Sequence, residues 1–96
     1  NSTAYFAYLM SKKNLADFTK MAAKELGPDV RVNGVCLGSI LPSGNFDEQG
    51  IEEEAKKLPL QTRTTLGDVT GSVVSLIENT ALTGNILYVD GGKGLL

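Results

Sequence analysis

Apolar residues recur every three or four positions through the first quarter of this 96-residue chain. That interval is typical of the apolar face of an amphipathic helix. The pattern predicts a helix over about 3–26, and the Gly27-Pro28 pair that follows predicts its end. The predicted apolar stripe consists of Tyr8, Leu15, Phe18, Met21, Ala22 and Leu26.

Two short runs of β-branched and apolar residues, over about 30–36 and 86–90, predict buried strands. A second helix is predicted over about 67–79, with Asp68 as its N-cap. The stretch of about 37–58 is rich in glycine and proline, and it predicts a loop that ends in one or two helical turns. The order helix, strand, loop, helix, strand predicts an α/β fold with two parallel strands.

Two parallel strands alone do not make a stable sheet, because both faces of such a sheet need to be covered. The predicted fold class is therefore the C-terminal portion of a doubly wound parallel sheet, with two strands and two main helices in this chain. Residues 1–96 are interpreted as a segment of one such domain. We expect its exposed sheet edge and helix faces to drive association.

The charge balance and the residue types exclude several classes of function. The net charge is −2 and the nine basic residues are scattered, which argues against a nucleic-acid partner. No apolar run approaches the length that spans a membrane, and no secretory signal is visible. The chain has no histidine, which removes Ser-His-Asp catalysis and argues against zinc. No metal is therefore expected.

Two further features have plain structural interpretations. The single cysteine, Cys36, lies in an apolar run and is interpreted as a buried thiol, which fits a reducing, cytoplasmic setting. The run Glu52-Glu53-Glu54 is interpreted as a solvated helix face, because consecutive residues of a helix do not point the same way.

The candidate chemistry lies in Tyr8 and Lys12, four residues apart in the first predicted helix. Side chains at this spacing lie one above the other on the same helix face. An ammonium beside a phenol favours the phenolate, which brings proton transfer by the phenol closer to neutral pH. The same ammonium is also able to donate hydrogen bonds to the hydroxyls of a bound sugar.

Three polar or glycine-containing motifs have structural interpretations as well. Asn33 is expected to tie neighbouring loops together through hydrogen bonds of its side chain. The motifs Thr83-Gly84 and Asp90-Gly91-Gly92 are expected to form turns that need a positive φ or close backbone packing.

In order and spacing these motifs resemble the C-terminal part of the short-chain dehydrogenase/reductase family, over essentially the whole chain. The subgroup that the chain most resembles is that of the pteridine and dihydromonapterin reductases. Its Ile40-Leu41-Pro42 segment, for example, lacks the threonine that fatty-acid-type ketoreductases usually carry there. The motifs that carry the resemblance are Tyr8-x-x-x-Lys12, Arg31-Val32-Asn33, the Gly38 loop, Leu82-Thr83-Gly84 and Val89-Asp90-Gly91-Gly92.

The resemblance implies a Rossmann-type fold and an NAD(P)(H)-dependent reduction of a C=O or C=N bond. Tyr8 would donate the proton, and Lys12 would hold the nicotinamide ribose. The backbone amide of Ile40 would contact the nicotinamide carboxamide, and residues of about 42–57 would form a substrate lid. The implied cofactor-binding residues are Tyr8, Lys12, Leu37, Gly38, Ser39 and Ile40, and the implied substrate-binding residues are Leu41, Pro42 and Ser43.

The resemblance favours NADP(H), with NAD(H) as the alternative, a small carbonyl or pterin substrate, and a homodimer or homotetramer. The chain departs from the family pattern at Leu37-Gly38, where the family has Pro-Gly. It contains no glycine-rich phosphate loop and neither the serine nor the asparagine of the family's catalytic set. The 96-residue chain alone is therefore expected to be inactive.

Two alternatives stay open. One is a 3-oxoacyl or other ketoreductase of the same family. The other is a non-catalytic module that associates with itself through the helix that carries Tyr8 and through its last strand.

Overall fold

A computed structural model describes residues 2–44 and 46–96. Three α-helices and two strands alternate along the chain, so the predicted α/β class is confirmed. No helix within these described ranges is both long and apolar enough to cross a membrane. The elements are α1 (Ser2–Leu26), β1 (Gly34–Leu37), α2 (Glu48–Lys56), α3 (Leu66–Glu78), β2 (Ile86–Val89) and a final 3₁₀ turn (Lys93–Leu95).

The two strands form a parallel pair. The amide of Gly34 donates to the carbonyl of Asn85 at 2.8 Å, and the amide of Gly38 donates to that of Val89 at 3.2 Å. Strand β1 begins at Gly34, four residues later than predicted. The prediction was wrong there because residues 30–33 make their hydrogen bonds outside the sheet. The Val32 carbonyl, for example, accepts from the amide of Gly84 at 2.7 Å.

The strands were expected to be buried, and within the described residues they are not. The residues of β1 are half-buried up to its exposed last residue, and Cys36 is a half-buried free thiol. In β2, Tyr88 is 65% exposed. A sheet of two strands leaves a large part of its surface without a neighbouring element to cover it, and this explains the difference.

The chain divides into two compact units, which are described separately. The first unit comprises residues 2–34 and Asn79–Ile86. Helix α1 buries Thr19 and Ala23 there, while Phe18 and Met21 of the predicted apolar stripe are more than 60% exposed, which agrees with the expectation of exposed helix faces. A Cβ placed at Gly84 would lie 3.6 Å from the Ala23 Cβ, an ordinary van der Waals distance, so the turn packs against the helix without a steric need for glycine at this contact.

The second unit comprises Val35–Glu78 and Leu87–Leu96, and its most deeply buried side chain is that of Ile51 on α2. This helix occupies most of the second half of the predicted 37–58 loop. The Asp47 side chain caps it by accepting from the amide of Gly50 at 2.8 Å. Ile51 and Ala55 are buried four residues apart, so α2 packs through a short apolar face that the surrounding glutamates obscured in the sequence.

Helix α3 begins at Leu66, one residue before the predicted start, and Asp68 lies inside it. The hydroxyl of Thr65 accepts from the Asp68 amide at 3.1 Å, and the Asp68 carboxylate accepts from the Thr65 amide at 2.9 Å. This reciprocal pair is a capping box with Thr65 as the N-cap. The prediction of Asp68 as the cap was therefore wrong, because its carboxylate supports the helix start from the third helical position.

Candidate active site

Tyr8 and Lys12 lie on α1 in the first unit, and the structure brings them together as the sequence predicts. The Lys12 Nζ lies 5.5 Å from the centroid of the Tyr8 ring, which is the geometry of a cation–π contact. The Tyr8 side chain is exposed, at 56%, so its hydroxyl is open to a ligand. The pair therefore places a phenol and a fixed positive charge side by side at an accessible position.

The predicted cofactor-binding and substrate-binding loop residues lie in the second unit, directly after the carboxyl end of β1. Ligands of open α/β sheets bind beyond such strand ends. An open groove of roughly 410 Å³ lies here and includes every predicted loop residue except Pro42. The groove is lined by Leu37, Gly38, Ser39, Ile40, Leu41, Ser43, Phe46, Leu66 and Val69.

Two backbone features fix the two ends of this loop. A Cβ at Gly38 would lie 3.2 Å from the Cα of Asp90, so the loop starts at a close approach between two strand ends. At the other end, Ser43 and Phe46 form an isolated antiparallel bridge. Their two backbone hydrogen bonds measure 3.0 and 2.9 Å.

Arg63 binds the loop from the side. Its Nη2 donates to the carbonyl oxygen of Ile40 at 2.8 Å, while its Nη1 donates to carboxylate oxygens of Glu48 and Glu52, the latter at 3.2 Å. The hydrogen bond from Arg63 holds the pKa of the Glu48 carboxyl below its ordinary value. The same carboxylates raise the pKa of the Arg63 guanidinium. The guanidinium thus joins the loop to helix α2.

A second ion pair connects α2 to the chain after β2. The Nζ of Lys93 lies 2.5 Å from a carboxylate oxygen of Glu54. This contact lowers the pKa of the Glu54 carboxyl although partial burial opposes the shift, and the Ser39 hydroxyl favours the carboxylate as a smaller effect. The interpretation of Glu52-Glu53-Glu54 as a solvated face holds for Glu52 and Glu53, which are exposed, and is wrong for the partly buried Glu54, whose carboxylate pairs with Lys93.

The predicted connecting role of Asn33 is confirmed in the first unit. Its side-chain nitrogen donates to the carbonyl of Leu82 at 3.0 Å, and its side-chain oxygen accepts from the amide of Asn85 at 3.0 Å. Gly84 has a φ of 71°, as the turn prediction required. In the part of the chain that the structure describes, no three acidic or cysteine side chains cluster as a metal site would need.

Comparison with known proteins agrees with this geometry. A protein-family model described as enoyl-(acyl carrier protein) reductase matches residues 1–93. The short-chain dehydrogenase/reductase homolog YusR of Bacillus subtilis is 36% identical over 92 residues, and the match covers 92% of this chain and 69% of that protein. The chain therefore belongs to the short-chain dehydrogenase/reductase family, as the sequence motifs suggested.

The pteridine-reductase likeness is confirmed as well. Dihydromonapterin reductase of Citrobacter koseri is 31% identical over 94 residues, and the match covers 98% of this chain but 39% of that enzyme. The crystal structure of FolM alternative dihydrofolate reductase 1 from Brucella suis in complex with NADP superposes with a TM-score of 0.88 at 35% identity. That match covers 95% of this chain and 37% of the other. The chain thus spans less than two fifths of these two reductases.

Proposed function

We propose that the protein containing this chain is an NAD(P)(H)-dependent reductase that transfers hydride to a C=O or C=N bond, and that Tyr8 donates the accompanying proton. The observation that carries this proposal is the exposed Tyr8 phenol with the Lys12 ammonium over its ring. Membership of the short-chain dehydrogenase/reductase family supports it.

A nicotinamide cofactor held by these residues would supply the hydride for the electrophilic carbon of the substrate. The Tyr8 hydroxyl releases its proton to the oxygen or nitrogen of the same double bond, and the phenolate that forms is stabilised by the Lys12 ammonium. Solvent then returns the proton to Tyr8. Lys12 is also expected to donate to the ribose hydroxyls of the cofactor, which would hold the nicotinamide near the phenol.

The loop after β1 fits the nicotinamide end of such a cofactor. It leaves the carboxyl end of a parallel strand and lines an open groove. Among residues 2–44 and 46–96, no acceptor binds the backbone N–H of Ile40, so it is open to a carboxamide oxygen. We assign Leu37, Gly38, Ser39 and Ile40 to the cofactor and Leu41, Pro42 and Ser43 to the substrate.

The proposed cofactor is NADP(H), since the Brucella suis structure contains NADP. The proposed substrate is a dihydropterin, since a dihydromonapterin reductase matches nearly the whole chain. We further propose a cytoplasmic homodimer or homotetramer. Exposed apolar side chains on α1 support the association, and the free thiol of Cys36 suits a reducing compartment.

The test of the mechanism is Tyr8→Phe in the full-length gene product. This change removes one oxygen atom and keeps the ring beneath Lys12. NADPH binding, followed by fluorescence, should stay near that of the wild type, while turnover should fall by about a hundredfold or more, the usual size of general-acid catalysis. Near-normal turnover in this variant would show that Tyr8 is not the proton donor.

The alternative substrate class is a 3-oxoacyl thioester, because a putative ketoacyl reductase of the granaticin polyketide synthase of Streptomyces violaceoruber is 35% identical over 82 residues. Turnover of a dihydropterin and of a 3-ketoacyl thioester by the same preparation would separate the two. A second alternative, a non-catalytic self-associating module, is favoured by the exposed side chains of α1. It predicts a particle size that rises with concentration in light scattering, with no NADPH fluorescence change.

A further inference from the structure

We propose that Arg63 is a positioning residue for the cofactor loop, holding Ile40 so that its backbone amide faces the nicotinamide. This inference rests on the proposed function. Arg63 lies 23 residues after Ile40 in the chain, and none of the sequence motifs includes it. Its contacts are therefore visible only in the folded chain.

The first step concerns the direction of the guanidinium. One of its terminal nitrogens donates to the Ile40 carbonyl at 2.8 Å and to a Glu48 carboxylate oxygen at 3.4 Å, and the other donates to the carboxylates of Glu48 and Glu52. A planar guanidinium carries its donors at fixed angles, so binding on one side sets the direction of the other. The carboxylates thereby fix where the donor to the Ile40 carbonyl lies.

The second step concerns Ile40 itself. Its side chain is buried, with 8% exposed, and its carbonyl is bound by Arg63. Two of the three heavy groups on its Cα are therefore held in place. With these two groups held, the tetrahedral geometry at Cα fixes where the third group, the backbone nitrogen, lies. Arg63 thus constrains the position of the nitrogen whose N–H the proposed function assigns to the carboxamide.

The third step explains why two carboxylates are present. The Arg63 side chain is only 23% exposed, and a partly buried cation needs compensating charge. Glu48 and Glu52 lie one helical turn apart on α2, so both present their carboxylates on one face. Because Asp47 caps this helix and Ile51 anchors it in the core, the support behind Arg63 is rigid.

Arg63→Lys is the informative variant. A lysine keeps the charge and is able to bind one partner, but its single ammonium lacks the fork that reaches the carbonyl and the carboxylates together. Glu53→Gln is the matched control, because it removes one exposed carboxylate charge from the same helix, and that carboxylate pairs with Lys56 at 3.5 Å rather than with Arg63. Both variants belong in the full-length gene product.

Three measurements are required: the NADPH dissociation constant by fluorescence, the thermal midpoint, and hydrogen exchange of a peptide that covers residues 37–43. With Arg63→Lys we expect the dissociation constant to rise about tenfold, which corresponds to about 1.4 kcal/mol at 25 °C. Exchange should increase in that peptide only. Glu53→Gln should change binding less than twofold, and its thermal midpoint should match that of Arg63→Lys.

The outcomes separate this inference from the proposed function. If the wild-type protein binds neither NADPH nor NADH, both are overturned. If the wild type binds and Arg63→Lys binds equally well, the inference alone is overturned. If Arg63→Lys lowers the thermal midpoint and raises exchange throughout residues 35–78, Arg63 has a general structural role and the inference is overturned as well.

Discussion

The turn after β2 offers a sharp test of the packing in the second unit. Gly92 has a φ of 93°, a conformation that side chains rarely adopt. A Cβ built on it would lie 2.8 Å from Cγ and 2.9 Å from Cβ of Pro59. Neither of these two ring atoms is able to move aside easily, because the proline ring is rigid. Pro59 also lies in the chain segment after α2. Gly92→Ala therefore combines backbone strain with a steric clash.

The two costs have different sizes. A positive φ costs a residue with a Cβ roughly 1–2 kcal/mol relative to glycine. An inserted methyl group that overpacks its surroundings costs roughly 1–3 kcal/mol more. We expect Gly92→Ala to lower the free energy of unfolding by about 2–5 kcal/mol in total, which is a large part of the stability of a small domain.

Two control substitutions isolate these costs by equilibrium urea unfolding. Gly44 has a φ of 57° with no atom within 4 Å of an added Cβ, so Gly44→Ala should show only the strain, about 1 kcal/mol. Gly71 lies in α3 with equally open surroundings, so Gly71→Ala should stabilise the protein by about 1 kcal/mol through helix propensity. A Gly92→Ala variant no less stable than Gly44→Ala would refute the clash with Pro59.

Two further predictions concern α3 and the ion pair after β2. Thr65→Ala should lower the free energy of unfolding by about 1 kcal/mol, because it removes the hydroxyl that caps the Asp68 amide; an unchanged urea midpoint would contradict the capping box. Lys93 lowers the pKa of the Glu54 carboxyl below its ordinary value of 4.5. This ion pair therefore stabilises the folded protein above pH 4.5, and the stabilisation is lost as the pH falls through the lowered pKa that Glu54 has in the folded state. Lys93→Met should therefore weaken the decline of the thermal midpoint as the pH falls below 4.5, and an unchanged acid profile would refute the coupling.

The structural features that the sequence predicts best are those that depend on residues close to one another along the chain. The extent of α1 follows from apolar periodicity and a Gly-Pro stop, and the contact of Tyr8 with Lys12 follows from helical spacing alone. The positive φ of Gly84 follows from the need for a residue without a Cβ in a tight turn. Each of these features is set within a few residues, so no tertiary contact was needed to find them.

The missed features depend on contacts between distant residues. The start of β1 is set by hydrogen bonds of residues 30–33 to the turn near Gly84, which no local pattern shows. Arg63 contacts Ile40 and the α2 residues Glu48 and Glu52, which lie 23, 15 and 11 residues earlier in the sequence. One signal was available for α2, namely Asp47 as an N-cap followed by apolar residues at Ile51 and Ala55. The sequence pattern predicts one or two helical turns there, but not the buried face through which α2 packs.

The variants of Tyr8 and Arg63 report on different steps of the same proposed reaction. Tyr8→Phe changes the group that releases a proton, so it should lower turnover and leave NADPH binding intact. Arg63→Lys changes a contact to the loop backbone, so it should weaken binding first. Each side chain is held by contacts within its own unit, so neither substitution needs to disturb the other. If both variants instead lost binding and turnover in equal measure, partial unfolding would explain both results, and the assignment of separate roles would fail.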